Sequence, residues 1–100
     1  MTVSFVEEAQ LEFLDSVASD GRIRRELGHR FKQEVDQSID WAVAHPDLYP
    51  LRRGGYRRVN LHMFPYYISY VVRGEVFWVL SVSHGSRKPD YWIERRIKTV

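Results

Sequence analysis

Arg57, His84, Arg87 and Tyr91 are the residues of this sequence best equipped for chemistry, because each lies in or just beyond a strand-like run of its second half. A histidine can act as a general base and an arginine can stabilise a pentavalent phosphate, the two roles needed to cleave RNA through its 2′-OH. The competing reading of His84 is a hydrogen-bonded turn residue at a strand end. Further cations surround the four: Arg52, Arg53 and Arg58 flank the Gly54-Gly55 turn, and Lys88 and Arg95 follow the last strand-like run. Guanidinium groups grip phosphate bidentately and carboxylate equally well, so this set suits a nucleic-acid backbone, an acidic protein surface, or both. Tyr91 and Trp92 lie outside the strands and could stack bases, whereas Tyr70 and Trp78 read as core.

Metal chemistry is not expected. The four histidines, His29, His45, His62 and His84, show no i, i+4 helical pairing, and no cysteine accompanies them. Arg53-Gly54-Gly55-Tyr56 lacks the spacing and the following helix of a nucleotide-binding loop, so no cofactor is expected either.

The charge distribution is more informative than the net charge of +2. From Leu51 to Val100 the acids are Glu75, Asp90 and Glu94, against ten Lys or Arg. A basic surface on one part of the fold follows, suited to an anionic target or an acidic antagonist. One hundred residues, 44% of them hydrophobic, fit a single domain spanning 1–100. The absence of cysteine is compatible with a reducing compartment, and no run is long enough to span a membrane. A start that reaches Glu7 and Glu8 without a basic segment does not resemble a secretory signal. A soluble, cytoplasmic protein is the expectation.

The positioning elements are legible from periodicity. Ser4 and Glu7 have capping-box spacing, which predicts a helix from near Phe5. Val6, Ala9, Phe13, Leu14 and Val17 then form an apolar stripe until Asp20-Gly21, read as a tight turn. Ile23, Leu27, Phe31, Val35, Ile39 and Ala42 mark a second helix, which His45-Pro46 ends. Thr2 and Val3 could form a short edge strand. After a loop over 47–55, Val59, Leu61 and Met63 alternate with polar residues as one strand. Two more, Tyr66 to Arg73 and Val76 to His84, are joined by a hairpin turn at Gly74. The tail from Tyr91 reads as a short helix or a frayed end. The expected fold class is α+β, an N-terminal helical hairpin packed on a small, mainly antiparallel β-sheet.

Taken together, Tyr56-Arg57-Arg58, Phe64-Pro65-Tyr66 with Tyr70, and His84-x-x-Arg87-x-Pro89-x-Tyr91-Trp92 resemble the RelE/ParE superfamily of bacterial type II toxins. The resemblance covers nearly the whole chain. It implies a toxin held in check by a cognate antitoxin, acting either by metal-free cleavage of mRNA in the ribosome or by poisoning DNA gyrase. On the nuclease reading Arg57 matches the first basic strand position, Arg87 the arginine after the last strand, and Tyr91 the C-terminal tyrosine. Arg57 and Lys88 would hold phosphates, Arg87 would stabilise the scissile one, and His84 or Tyr91 would move the proton. Two further basic positions of that pattern fall on Val59 or Asn60 and on Tyr67, so Arg58, Lys88 or Arg95 would have to substitute in space. The density of cations after the last strand favours ribosome-dependent mRNA cleavage. The alternatives are a ParE-like gyrase poison without nuclease activity and a weakened toxin that serves mainly as antitoxin partner.

Overall fold

The computed structural model describes residues 1–97. Its elements are β1 (Thr2–Phe5), α1 (Glu7–Ile23), α2 (Arg25–Ala44), β2 (Arg57–Asn60), β3 (Tyr66–Arg73) and β4 (Val76–His84). The strands form one sheet in the order β1-β4-β3-β2, with β1 parallel to β4 and the other pairs antiparallel. This is the expected α+β architecture, a helical hairpin on a mainly antiparallel sheet.

Alternation along the strands sorts their side chains to two faces. On the helical face, Val59, Ile68, Tyr70, Phe77, Val79 and Val82 meet Ala9, Phe31, Val35 and Ile39 in one buried core. Phe31 contacts Phe64 and Tyr66 edge-on, at 5.3 and 4.8 Å between ring centroids, and Tyr70 stacks on Phe77 at 4.4 Å. Aromatic pairs at such distances add roughly 0.5–1.5 kcal/mol beyond their burial. The other face carries Arg58, Tyr67, Ser69, Ser81 and Ser83, aligned by the registers Arg58↔Ser69↔Ser81 and Tyr67↔Ser83.

Several local expectations are corrected. Ser4 does not cap α1, because its backbone is already in the ladder opposite Trp78; Val6 occupies the cap position without a side-chain bond. Asp20-Gly21 is not the interhelical turn but lies within α1, which runs to Ile23, and Arg24 alone makes the connection in extended geometry. Gly21 instead marks where the helices cross. A Cβ on Gly28 would lie 2.9 Å from the Val17 carbonyl oxygen and 3.1 Å from Gly21 Cα, so the backbones approach too closely for a side chain there. With the turn displaced, Ile23 is 72% exposed, and Leu14 points outward at 52%.

The strand expected to continue to Met63 stops at Asn60, and Met63 is 79% exposed. The reason is Glu34 of α2. Its carboxylate accepts the His62 amide at 2.6 Å and the Met63 amide at 3.0 Å, drawing the 61–65 segment out of the ladder as a turn. Gly74 forms the predicted hairpin turn with φ +58°. The tail is neither helix nor loose end through residue 97: Trp92 is fully buried and its Nε1 donates to the Tyr67 hydroxyl at 2.9 Å.

Candidate functional site

β1 ends at Phe5, opposite Val79, and the Val6 amide takes the Val79 carbonyl. Beyond that point β4 loses its neighbour, so the backbone groups of Leu80 and Val82 face outward unpaired by any strand. Two side chains take the place of a strand there. Glu12, projecting from α1, accepts the Val82 amide at 3.2 Å. Arg95, returning from the tail, donates to the Leu80 carbonyl at 3.1 Å. The two side chains also bind one another bidentately, at 2.7 and 2.9 Å, with only 15% and 14% of their surfaces exposed. Burial alone would lower the Arg95 pKa, but the hydrogen bonds and charge of Glu12 more than reverse this, and it rises.

Tyr91 joins the same carboxylate through its hydroxyl. Its oxygen also lies 3.1 Å from Ser83 Oγ; Ser83 Oγ donates to Ser81 Oγ at 2.8 Å, and Ser81 shares a 2.6 Å hydrogen bond with Ser69. These three serines are fully buried. A polar row therefore runs across the non-helical face from Glu12 to Ser69, which pairs in register with Arg58. Each hydroxyl has a partner, as burial requires.

His84, Arg87 and Tyr91 do come together, around a depression of about 190 Å³ on the β4 edge. Glu12 and Asp15 line the same depression. The Arg87 guanidinium lies 3.8 Å above the Tyr91 ring and 3.8 Å from the Glu12 carboxylate. Burial, followed by the bond to Glu12, raises the Tyr91 pKa, so its hydroxyl stays protonated at neutral pH. His84 Nδ1 accepts the Ser86 amide at 3.0 Å and sits 2.7 Å from Ser86 Oγ. Nδ1 is thereby engaged by the 84–86 turn itself rather than turned towards the depression's other groups. His84 thus has the geometry of the turn residue considered from the sequence.

Arg57 is elsewhere. It sits on β2, across the sheet from His84, donating to the Tyr49 carbonyl at 2.7 Å and pairing with Asp47 at 3.3 Å, so that it ties down the 47–50 loop. The alternation of β2 sends Arg58 to the opposite face, 4.2 Å over the Tyr67 ring. Near it, the Tyr56 hydroxyl donates to Asp90 at 2.7 Å, and Tyr56 packs edge-on against Trp92 at 4.4 Å. Burial, then the bond to Asp90, raises the Tyr56 pKa. These contacts bring the Arg52–Tyr56 turn and the Lys88–Trp92 segment side by side. Of the nucleic-acid candidates, Arg52 and Arg53 lie on the first of these segments, Lys88 on the second and Arg58 on β2 just beyond the turn, whereas Arg95 is withdrawn into the Glu12 pair.

Glu12 and Glu34 organise the two ends of this arrangement, and neither stood out in the sequence. Glu12 follows buried Ala9 by three residues, which places a carboxylate beside the buried stripe of α1; that spacing is the one local sign of its role. Among the described residues there is no cluster of His, Cys, Asp or Glu able to hold a metal, and no helix is long and apolar enough to cross a membrane.

A helical hairpin on a four-stranded mixed sheet, with a tail pinned over its open face, defines a RelE/ParE-type toxin. The family of ParE toxins of the type II toxin-antitoxin system parDE matches residues 11–89, and the chain belongs to that family. Its partner is accordingly a cognate antitoxin. A solved structure described as the chromosomal ParDE TA system from P. aeruginosa is similar in fold, with a TM-score of 0.68 and 17% identity, covering 84% of this chain and 95% of that one. No curated protein matches the sequence.

Proposed function

We propose that this toxin arrests growth by engaging DNA gyrase, and that it does so without cutting ribosome-bound mRNA. The observation that carries this reading is the engagement of Glu12. Metal-free RNA cleavage needs a free base, a proton donor and unneutralised cations converging on one phosphate. Here Tyr91 and Arg95 are bound to Glu12, Arg87 lies beside it, His84 Nδ1 is occupied by Ser86, and Arg57 is across the sheet with Asp47. Asp15 lines the same depression and repels a phosphate by about 1–4 kcal/mol at contact distance near a protein surface. Membership of the ParE family supports the same reading, and an intracellular target fits the cytoplasmic address expected from the sequence.

The test combines purified toxin and gyrase on plasmid DNA with an mRNA integrity assay after induction in cells. Inhibited supercoiling or accumulated linear plasmid, with mRNA intact, is the expected result. Cleaved mRNA with unaffected supercoiling, abolished by Arg87→Ala, would return the assignment to the nuclease.

A further inference from the structure

Cations on the non-helical face differ from those of the depression in having no acid against them. Among the described residues, Arg52, Arg53, Arg58 and Lys88 make no ion pair, while Arg57, Arg87 and Arg95 each do. The nearby acid, Asp90, has one carboxylate oxygen bound to the Tyr56 hydroxyl. Arg58 is half-buried over Tyr67, and its Nε is enclosed without a hydrogen-bond acceptor. Holding a guanidinium this way without a counter-charge is costly unless an anion completes it. Arg52, Arg53 and Lys88 are exposed on the 52–56 turn and the 88–92 segment, which the Tyr56–Asp90 and Tyr56–Trp92 contacts hold side by side.

The aromatic residues at this face decide what kind of anion fits. Single-stranded RNA is held by stacking its bases on exposed rings. Here Tyr56, Tyr67 and Trp92 are buried and engaged with one another or with Arg58, and the Tyr91 ring is taken by Arg87 at 3.8 Å and Arg95 at 5.1 Å from its centroid. With those rings covered, the face offers a phosphate backbone its cations but gives unpaired bases no open ring to stack on, the requirement for a backbone whose bases stay paired. We infer that Arg52, Arg53, Arg58 and Lys88 form a contact surface for the backbone of duplex DNA. The inference rests on the gyrase reading for its biological setting, since gyrase acts on duplex DNA, but its chemistry is independent of that enzyme.

The test is the anisotropy of a short fluorescein-labelled DNA duplex titrated with purified toxin between about 50 and 200 mM salt. Four phosphate contacts give a slope of log K against log salt of about −3 to −4. Arg58→Ser and Lys88→Ser should each weaken binding several-fold and reduce that slope by about 1. Arg22→Ser, which removes the same charge from the helical hairpin, should leave the slope unchanged. Lys88 lies in an exposed loop, so its variant keeps the test valid should Arg58→Ser fold poorly. Equal loss in the Arg22 variant, no duplex binding at low salt, or tighter binding of a single-stranded RNA of equal length would overturn the inference. Toxin that inhibits gyrase without binding duplex refutes the DNA face alone; toxin that binds duplex but spares gyrase refutes the gyrase reading alone.

Discussion

Removing the Glu12 carboxylate is the sharpest perturbation that the structure suggests, because one group closes the β4 edge, pairs with Arg95 and anchors Tyr91. In Glu12→Ala the Arg95 guanidinium, 14% exposed, keeps its bond to Leu80 but loses its counter-charge. The Val82 amide and the Tyr91 hydroxyl lose an acceptor in the same step. Breaking one side of a buried ion pair costs about 3–5 kcal/mol, and the residual exposure of this pair places the loss near 3. For a domain of this size, whose total stability is about 5–15 kcal/mol, the melting temperature should fall by roughly 12–24 °C at 4–8 °C per kcal/mol. Arg95→Ala should cost less, about 1–2 kcal/mol, because Glu12 retains the Val82 and Tyr91 donors. The double variant should then be less destabilised than the sum of the singles by at least about 1 kcal/mol. Urea unfolding followed by tryptophan fluorescence reads this directly, since Trp92 is buried against Tyr56 and Tyr67. A Glu12→Ala loss under about 0.5 kcal/mol, typical of a surface site, together with additive singles, would refute the account of the edge.

Gly28→Ala should destabilise by about 1–3 kcal/mol through overpacking against the Val17 carbonyl, whereas Gly21→Ala, which meets nothing within 4 Å, should gain up to about 1 kcal/mol in thermal unfolding. Glu34→Ala should cost about 0.5–1.5 kcal/mol by passing the exposed His62 and Met63 amides from the carboxylate to water, and hydrogen exchange should speed up at those two amides ahead of the core. Burial pushes the Tyr70 hydroxyl up to about 12. Its folded-state pKa thus lies above the unfolded value near 10, so it contributes stability that is full below pH 10 and is lost as pH rises towards 12. Two pKa units correspond to at most about 3 kcal/mol; with screening at the Pro46 end, Tyr70→Phe should flatten the alkaline stability loss by about 1–2 kcal/mol in urea titrations.

The two helices, the hairpin turn at Gly74 and the core strands were legible in the sequence because their signals are periodic and local. Phe31, Val35, Ile39 and Ala42 recur on one face, and each is buried. The errors arose where a distant residue overrode a local signal. Ser4 and Glu7 have the spacing of a cap, but pairing with β4 had already claimed the Ser4 backbone. Asp20-Gly21 has the composition of a turn, yet it lies inside α1, whose backbone there packs against Gly28 of α2. Met63 continues an alternation that Glu34, about thirty residues away, interrupts.

The same division holds at the site. Residue types and order alone determined a basic second half, a toxin-like architecture and His84, Arg87 and Tyr91 close enough in sequence to meet. Which cations remain free was decided only by the tertiary structure, because charge neutralisation depends on acids brought from other elements. Glu12 reaches Arg95 from 83 positions away and Tyr91 from 79, and Asp47 takes Arg57. The alternation of β2 then separates Arg57 from Arg58 by the thickness of the sheet, so that among the described residues Arg58, Arg52, Arg53 and Lys88 are the candidate cations that make no ion pair.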